Sequence, residues 1–243
     1  MKRILSMLLF VSGFIPFTYI FGIGGFGFQG GQSLLSIESY KSTEGVAELN
    51  RSEFSNPLSG GAYVYIDAIP FVDLEADFSI SYKNYIFDFS NSIAEPDGVL
   101  TRSIGPYDFG WGDFSIYLTA RKKIVGLGIP LLAKAKLFYG GGYNMHTVTP
   151  LMNLDLMESA LEGNEGNEVN IEEADPTNLS EGDLIKFLKD NQVKSNGFHI
   201  QSGFQFKVLV LDTFLFYRHT FAKDIVPGQD HFGSLNLRIG YGL

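Results

Sequence analysis

The residues of this chain that could do chemistry are four histidines and a set of charges spaced two apart. Asp73, Glu75, Asp77 and Lys83 share one phase of the segment 72–83, and Asp113 and Arg121 bound the segment 113–121. Lys134 and Lys136 follow at the same spacing; His199, Gln201, Gln205 and Lys207 lie in one phase of 197–208, and Arg238 stands near the end of the chain. Side chains two apart on a strand point to the same face, so each segment carries an ionic face. Both signs are present, and the chemistry they suit is mutual pairing, because removing one partner from a buried ion pair costs roughly 3–5 kcal/mol. Catalysis has little support. His146, His199, His219 and His231 are scattered, and no H-E-x-x-H, G-x-S-x-G or Walker pattern occurs. The sequence therefore reads as a non-enzyme without metal or cofactor. His199, on a polar face, is expected to be a hydrogen-bonding group. His219, Asp224, Asp230 and His231 bracket one loop and are the best acid–base or metal candidates, but no nucleophile accompanies them.

The elements that must hold these groups are strands. In 72–83 the other phase is Val72, Leu74, Ala76, Phe78, Ile80 and Tyr82, and the alternation recurs with Phe114, Ile116 and Leu118, with Phe198, Ile200, Phe204 and Phe206, and with Leu235, Leu237 and Ile239. Three less regular segments, 22–30, 61–69 and 213–221, bring the count to about eight strands. Their connections alternate in length. Stretches 31–59, 90–112 and 145–196 are long and 222–230 is moderate, whereas 69–71, 122–130 and 209–212 are short. Long loops on one side and short turns on the other are what a barrel embedded in lipid shows, with apolar residues turned out and ionic ones turned in. Tyr63, Tyr65, Tyr82, Tyr85, Trp111, Tyr139, Tyr143, Tyr217 and Tyr241 fall near strand ends and are expected to form interfacial girdles.

Composition narrows the function classes. The chain has 243 residues, a formal net charge of -9 and no cysteine, which excludes disulfides, thiolate metal sites and a cysteine nucleophile and argues against nucleic acid as a partner. Residues 151–195 hold eleven carboxylates against three lysines, so the rest of the chain is nearly neutral. At the start, Lys2 and Arg3 precede an apolar run, the pattern of a secretory signal over 1–21, leaving 22–243 as the barrel domain.

On these segments the chain resembles the small outer-membrane β-barrel proteins of Gram-negative bacteria. The most specific element is the last strand, where Tyr241 and Leu243 occupy the apolar positions read by the barrel-assembly machinery; the usual final Phe is Leu here, and Arg238 stands where Gly is common. The resemblance implies an outer-membrane location, with membrane lipid and that machinery as partners.

The expected fold is thus all-β, an antiparallel transmembrane barrel with long extracellular loops and a partly helical acidic insertion at 145–196. Within the insertion, Ser180 caps a helix with Asp183 in its first turn, and a second helical pattern follows Pro150. The two pieces are expected to cover the barrel mouth and to offer a place for an extracellular ligand. The expected function is a structural or surface-interaction role over a charged, mostly filled lumen. Two alternatives stand beside it: a small channel or carrier for a polar or amphiphilic ligand, and a soluble periplasmic ligand-binding barrel.

Overall fold

The computed structural model describes residues 24–67, 71–129, 132–166 and 169–242. The expected signal at 1–21, residues 69 and 70 of one expected turn, and Leu243 lie outside the described residues. The elements in chain order are β1 (Gly24–Leu34), β2 (Ser36–Ile37), β3 (Tyr40–Glu44), β4 (Ala47–Arg51), β5 (Phe54–Ser55), β6 (Leu58–Ile66), β7 (Asp73–Glu95), β8 (Gly98–Ile129) and β9 (Ala133–Val148), then α1 (Leu154–Glu165), a 3₁₀ turn (Pro176–Asn178), α2 (Glu181–Asp190), β10 (Val193–Val208), β11 (Leu211–Val226) and β12 (Gln229–Gly242).

Eight of the strands close on themselves. β1 pairs with β12, β12 with β11, and so on through β10, β9, β8 and β7 to β6, which returns to β1; every pairing is antiparallel. Closure leaves the ring without a free edge. The side chains divide as the alternation requires. Phe78, Ile80, Phe204 and Leu237 are 45%, 54%, 50% and 46% exposed, while Asp77 and Arg238 are 3% and 0%. A soluble barrel would show the reverse. This is the architecture of a transmembrane β-barrel with an apolar outer wall. Among the described residues no helix is long and apolar enough to cross a membrane.

The connections differ in kind at the two ends, called upper (long) and lower (short) below. At the lower end β10 and β11 are joined by Leu209 and Val210 alone, with Leu209 at φ 55°. The upper end departs from expectation. Residues 90–112 are not a loop: β7 and β8 remain paired as far as Glu95 and Gly98, around Pro96 and Asp97. The turn-forming residues that suggested a loop are absorbed locally, by Gly105 at φ 92° and by a bulge between Phe87 and Phe89. What sustains the strands is that Phe87, Phe89, Phe109 and Trp111 keep the inward phase and are buried. The hairpin β3–β4 extends this sheet, with Ala47 opposite Asn91 and Arg51 opposite Phe87.

The girdle expectation is corrected for four residues. Tyr82, Tyr139, Tyr143, Tyr217 and Tyr241 face outward, but Tyr63, Tyr65, Tyr85 and Trp111 are buried. Tyr63 and Tyr65 lie in the ionic phase of β6, where they serve arginines rather than head groups.

Candidate functional site: the lumen network and its cap

Strand β7 carries the two carboxylates around which the lumen is organised. Asp77 accepts two hydrogen bonds from Arg218 on β11, at 2.8 and 3.1 Å, one from Arg238 Nη2 on β12 at 2.6 Å and one from Gln29 Nε2 on β1 at 3.1 Å. Glu75 lies 2.7 Å from Arg238 Nη1 and 3.2 Å from Arg121 Nη1, and accepts from Gln201 Nε2 at 3.0 Å. Arg121 also reaches Asp73 at 3.4 Å. Arg218 donates on to Gln201 Oε1 at 2.9 and 3.0 Å, and Arg238 Nε donates to Gln29 Oε1 at 2.8 Å. Three guanidiniums thus meet three carboxylates, and Gln29 and Gln201 bridge between them. The two-pronged Arg218–Asp77 contact suits the planar guanidinium, which matches a carboxylate better than a lysine ammonium does.

Aromatic faces occupy the space between the charges. Arg218 lies 3.8 Å from the Tyr117 ring centre, Arg238 lies 4.5 Å from Phe216 and 4.9 Å from Tyr63, and Arg121 lies 4.7 Å from Phe214 and 5.0 Å from Phe138. Each such desolvated contact contributes on the order of 2 kcal/mol. Below this layer Asp212 accepts a short hydrogen bond from Tyr65 and two from Gln205, at 2.7 and 3.0 Å. Tyr63 also closes the wall: its hydroxyl sits over Gly240, where a Cβ would come within 2.5 Å of it. Above, His146 Nδ1 is 3.0 Å from Asp113, His199 Nε2 is 2.9 Å from Thr119 Oγ1, and the Tyr117 hydroxyl is 3.3 Å from Thr220. These polar and aromatic side chains line the interior of the ring.

The structure places the sequence-selected residues unequally. Glu75, Asp77, Asp113, Arg121, His199, Gln201, Gln205 and Arg238 are buried in the lumen, with Asp73 at the edge of the network. Lys83 is not in it. Below Lys83, β6 stops at Leu58 opposite Tyr82, and above it β4 resumes only at Arg51 opposite Phe87, so this stretch of β7 has lost one neighbour and the side chain is exposed. Lys134 is exposed for a similar reason, since the wall opposite has ended at its level; Lys136, half-buried, lies 3.8 Å from Asp67, and Lys207 is half-buried at the same end. The group at 219–231 is also corrected. His219 and His231 are on the outer wall with ring centres 5.1 Å apart, and their close neighbours are Tyr217 and Phe221.

Arg218, Asp212, Gln29 and Tyr117 escaped the sequence reading. The signal for Arg218 was the even phase of 212–220, Asp212 to Thr220, but Phe214 and Phe216 in that phase hid it by making both faces of the strand look apolar.

Over the upper mouth the connections fold together. Leu151, Met152, Leu154, Met157 and Leu161 of the insertion share one buried cluster with Phe87, Phe89 and Trp111 of the extended hairpin, Leu184 and Leu188 of α2, and Phe232 of β12. Ser180 caps α2 in a reciprocal capping box with Asp183, and Asn153 caps α1. Polar ties fix the insertion to the sheet: Arg51 donates to the Met152 carbonyl at 3.0 Å, and Asn91, fully buried, donates to the carbonyls of Ile171 at 3.2 Å and Ala174 at 2.5 Å. Hydrogen bonding from Ser180 and Thr177 holds the carboxyls of exposed Asp183 and half-buried Asp175 below the ordinary aspartate range.

No family model matches the chain, and no curated protein does. Among solved structures it is similar to small outer-membrane β-barrel proteins. Ail, the attachment invasion locus protein of Yersinia pestis, shares 9% identity over 91% of this chain and 98% of that one, with a TM-score of 0.39. Neisserial surface protein A shares 10% over 91% and 97%, at 0.43. The outer membrane protein OprG from Pseudomonas aeruginosa shares 11% over 91% and 94%, also at 0.43. Likeness this distant says nothing of what the present chain binds or does.

Proposed function

We propose that this chain is an outer-membrane protein whose sealed barrel anchors a folded surface module, and that its role is structural or in surface interaction. The observation that carries the reading is the pairing of a solid lumen with a built cap: three arginines locked to Asp73, Glu75 and Asp77, beneath an apolar core drawn from the upper connections. In this reading the upper end is extracellular and the lower end periplasmic, with the assembly machinery reading the last strand through Tyr241 and Leu243. An extracellular ligand would meet the acidic insertion and the projecting β3–β4–β7–β8 sheet, whose Val99 and Val46 are exposed. A channel is disfavoured because water would have to displace ion pairs and aromatic rings together. A soluble carrier is disfavoured because the apolar phase faces outward. We assign no catalytic role: His146–Asp113 serves as lumen packing.

Reconstitution tests this directly. The folded protein should migrate faster on unheated gels than after boiling, and in planar bilayers it should give no conductance steps. Regular steps that change in Asp77→Asn would favour the channel, and recovery as a freely soluble protein would end the membrane reading.

A further inference from the structure

The lower end of the barrel is uneven. β7 begins at Asp73, opposite Arg121, yet β8 runs on to Ile129 and β9 starts at Ala133. The β8–β9 hairpin therefore projects below its neighbour as a ribbon, flanked on one side by β10, whose Val208 faces Ala133. A bulge between Lys123 and Val125 resets its phase. One face prolongs the apolar wall past Lys122, which shares the outward phase opposite Tyr139: Val125, Leu127 and Ile129 are 55%, 80% and 61% exposed. The other face carries Lys123, Lys134 and Lys136, which line a recess of about 640 Å³ together with Gly126 and Gly128.

The glycines build this recess. A Cβ at Gly126 would come within 3.2 Å of the Lys123 stem and 3.4 Å of the Lys136 stem, and one at Gly128 within 3.2 Å of the Lys134 stem. The lysine stems thus lie across the bare ribbon and border one hollow. Of the carboxylates at this end, Asp73 is committed to Arg121 and Asp212 to Tyr65 and Gln205, while Asp67 lies 3.8 Å from Lys136 itself, which leaves Lys123 and Lys134 with no carboxylate drawn to them from that set. In a chain of net charge -9 this is a local excess of positive charge on an amphipathic ribbon.

We infer that this ribbon docks the phosphate head groups of anionic phospholipids in the leaflet facing it. The inference rests on the membrane reading above. A lipid is favoured over a free anion because the same two strands offer lysines to the phosphate and an aliphatic face to the acyl chains; long lysine stems can span the two. A free anion would use only the first.

The test compares the wild-type chain with the triple variant Lys123→Gln/Lys134→Gln/Lys136→Gln. Both are folded into phosphatidylcholine vesicles containing phosphatidylglycerol, and the lipids retained after detergent extraction are counted by native mass spectrometry. Heat-modifiable migration controls for the fold. Since each lysine near an anionic surface is worth about fivefold in binding, the wild type should prefer phosphatidylglycerol on the order of tenfold to a hundredfold, and the triple variant should lose that preference while still inserting. Millimolar inorganic phosphate should not displace the lipid. Equal retention of the two lipids, an unchanged preference in the variant, or displacement by phosphate alone would each overturn the inference while leaving the barrel in place. Failure of the wild type to insert would overturn the membrane reading and the inference with it.

Discussion

Replacing Asp77 by asparagine tests the lumen most sharply, because the shape is kept and only the charge is removed. Asp77 accepts from Arg218 twice, from Arg238 and from Gln29, all between 2.6 and 3.1 Å, at 3% exposure. The variant leaves two buried guanidiniums sharing the network with Glu75 and turns one acceptor into a donor aimed at donors. Breaking a buried pair in this way costs roughly 3–5 kcal/mol, a large part of the roughly 5–15 kcal/mol that holds a typical domain. The assay is urea unfolding in lipid vesicles, followed by the heat-shifted gel band for the barrel and by Trp111 fluorescence, the chain's one tryptophan, for the cap. The midpoint should fall with the slope unchanged, as expected when stability alone has altered. Asp230→Asn, at an exposed position, should stay within about 0.5 kcal/mol of wild type. A loss in Asp77→Asn smaller than about 1 kcal/mol would refute the account of the lumen as a solid ion-paired core. The pair Asp77→Leu with Arg218→Met should recover part of the loss, because an apolar replacement strands fewer charges.

Three further outcomes follow from the geometry. Gly240→Val should yield no heat-modifiable band, because its Cβ would sit 2.2 Å from the Phe26 carbonyl and 2.5 Å from the Tyr63 hydroxyl. Met157→Ala, at a fully buried cap position, should destabilise the cap by about 2–5 kcal/mol, seen as protease cleavage within 145–196 with the barrel band retained. Asp183, whose carboxyl is lowered by its bonds to Ser180, contributes to α2 at pH values above the ordinary aspartate range and loses that contribution as pH falls through its own lowered value. Protection of the amides at the start of α2, measured against their intrinsic exchange rates at each pH, should therefore fall in acid, while Ser180→Ala should lower it at neutral pH; protection at the α2 start that does not respond to acid would contradict this.

Much of the barrel was legible because alternation in strands such as 72–83 and 197–208 is forced by geometry: a period of two leaves an ionic side chain only one of two faces. What was hidden has physical causes. Phe214 and Phe216 share a face with Arg218, so the strand that supplies the central guanidinium looked uniformly apolar. Lys83 and Lys134 keep the inward phase, but a strand beside Lys83 ends early and the wall opposite Lys134 has ended at its level, which no single segment reveals. Residues 90–112 carry Gly105, Pro106, Gly110 and Gly112, all turn-like locally, yet burial of Phe109 and Trp111 against the insertion overrides them.

Because the chain has no cysteine, single cysteines can be placed cleanly along β10 and β12 and spin-labelled in vesicles. Labels at Phe204, Phe206 and Leu237 should relax strongly with oxygen, which concentrates in lipid, and weakly with a water-soluble nickel chelate, while labels at Gln205 and Asn236 should be poorly accessible to both. Labels at Phe204 and Leu237 shielded from lipid, with those at Gln205 and Asn236 open to the nickel chelate, would mean that the wall is turned the other way and that this is not a membrane barrel.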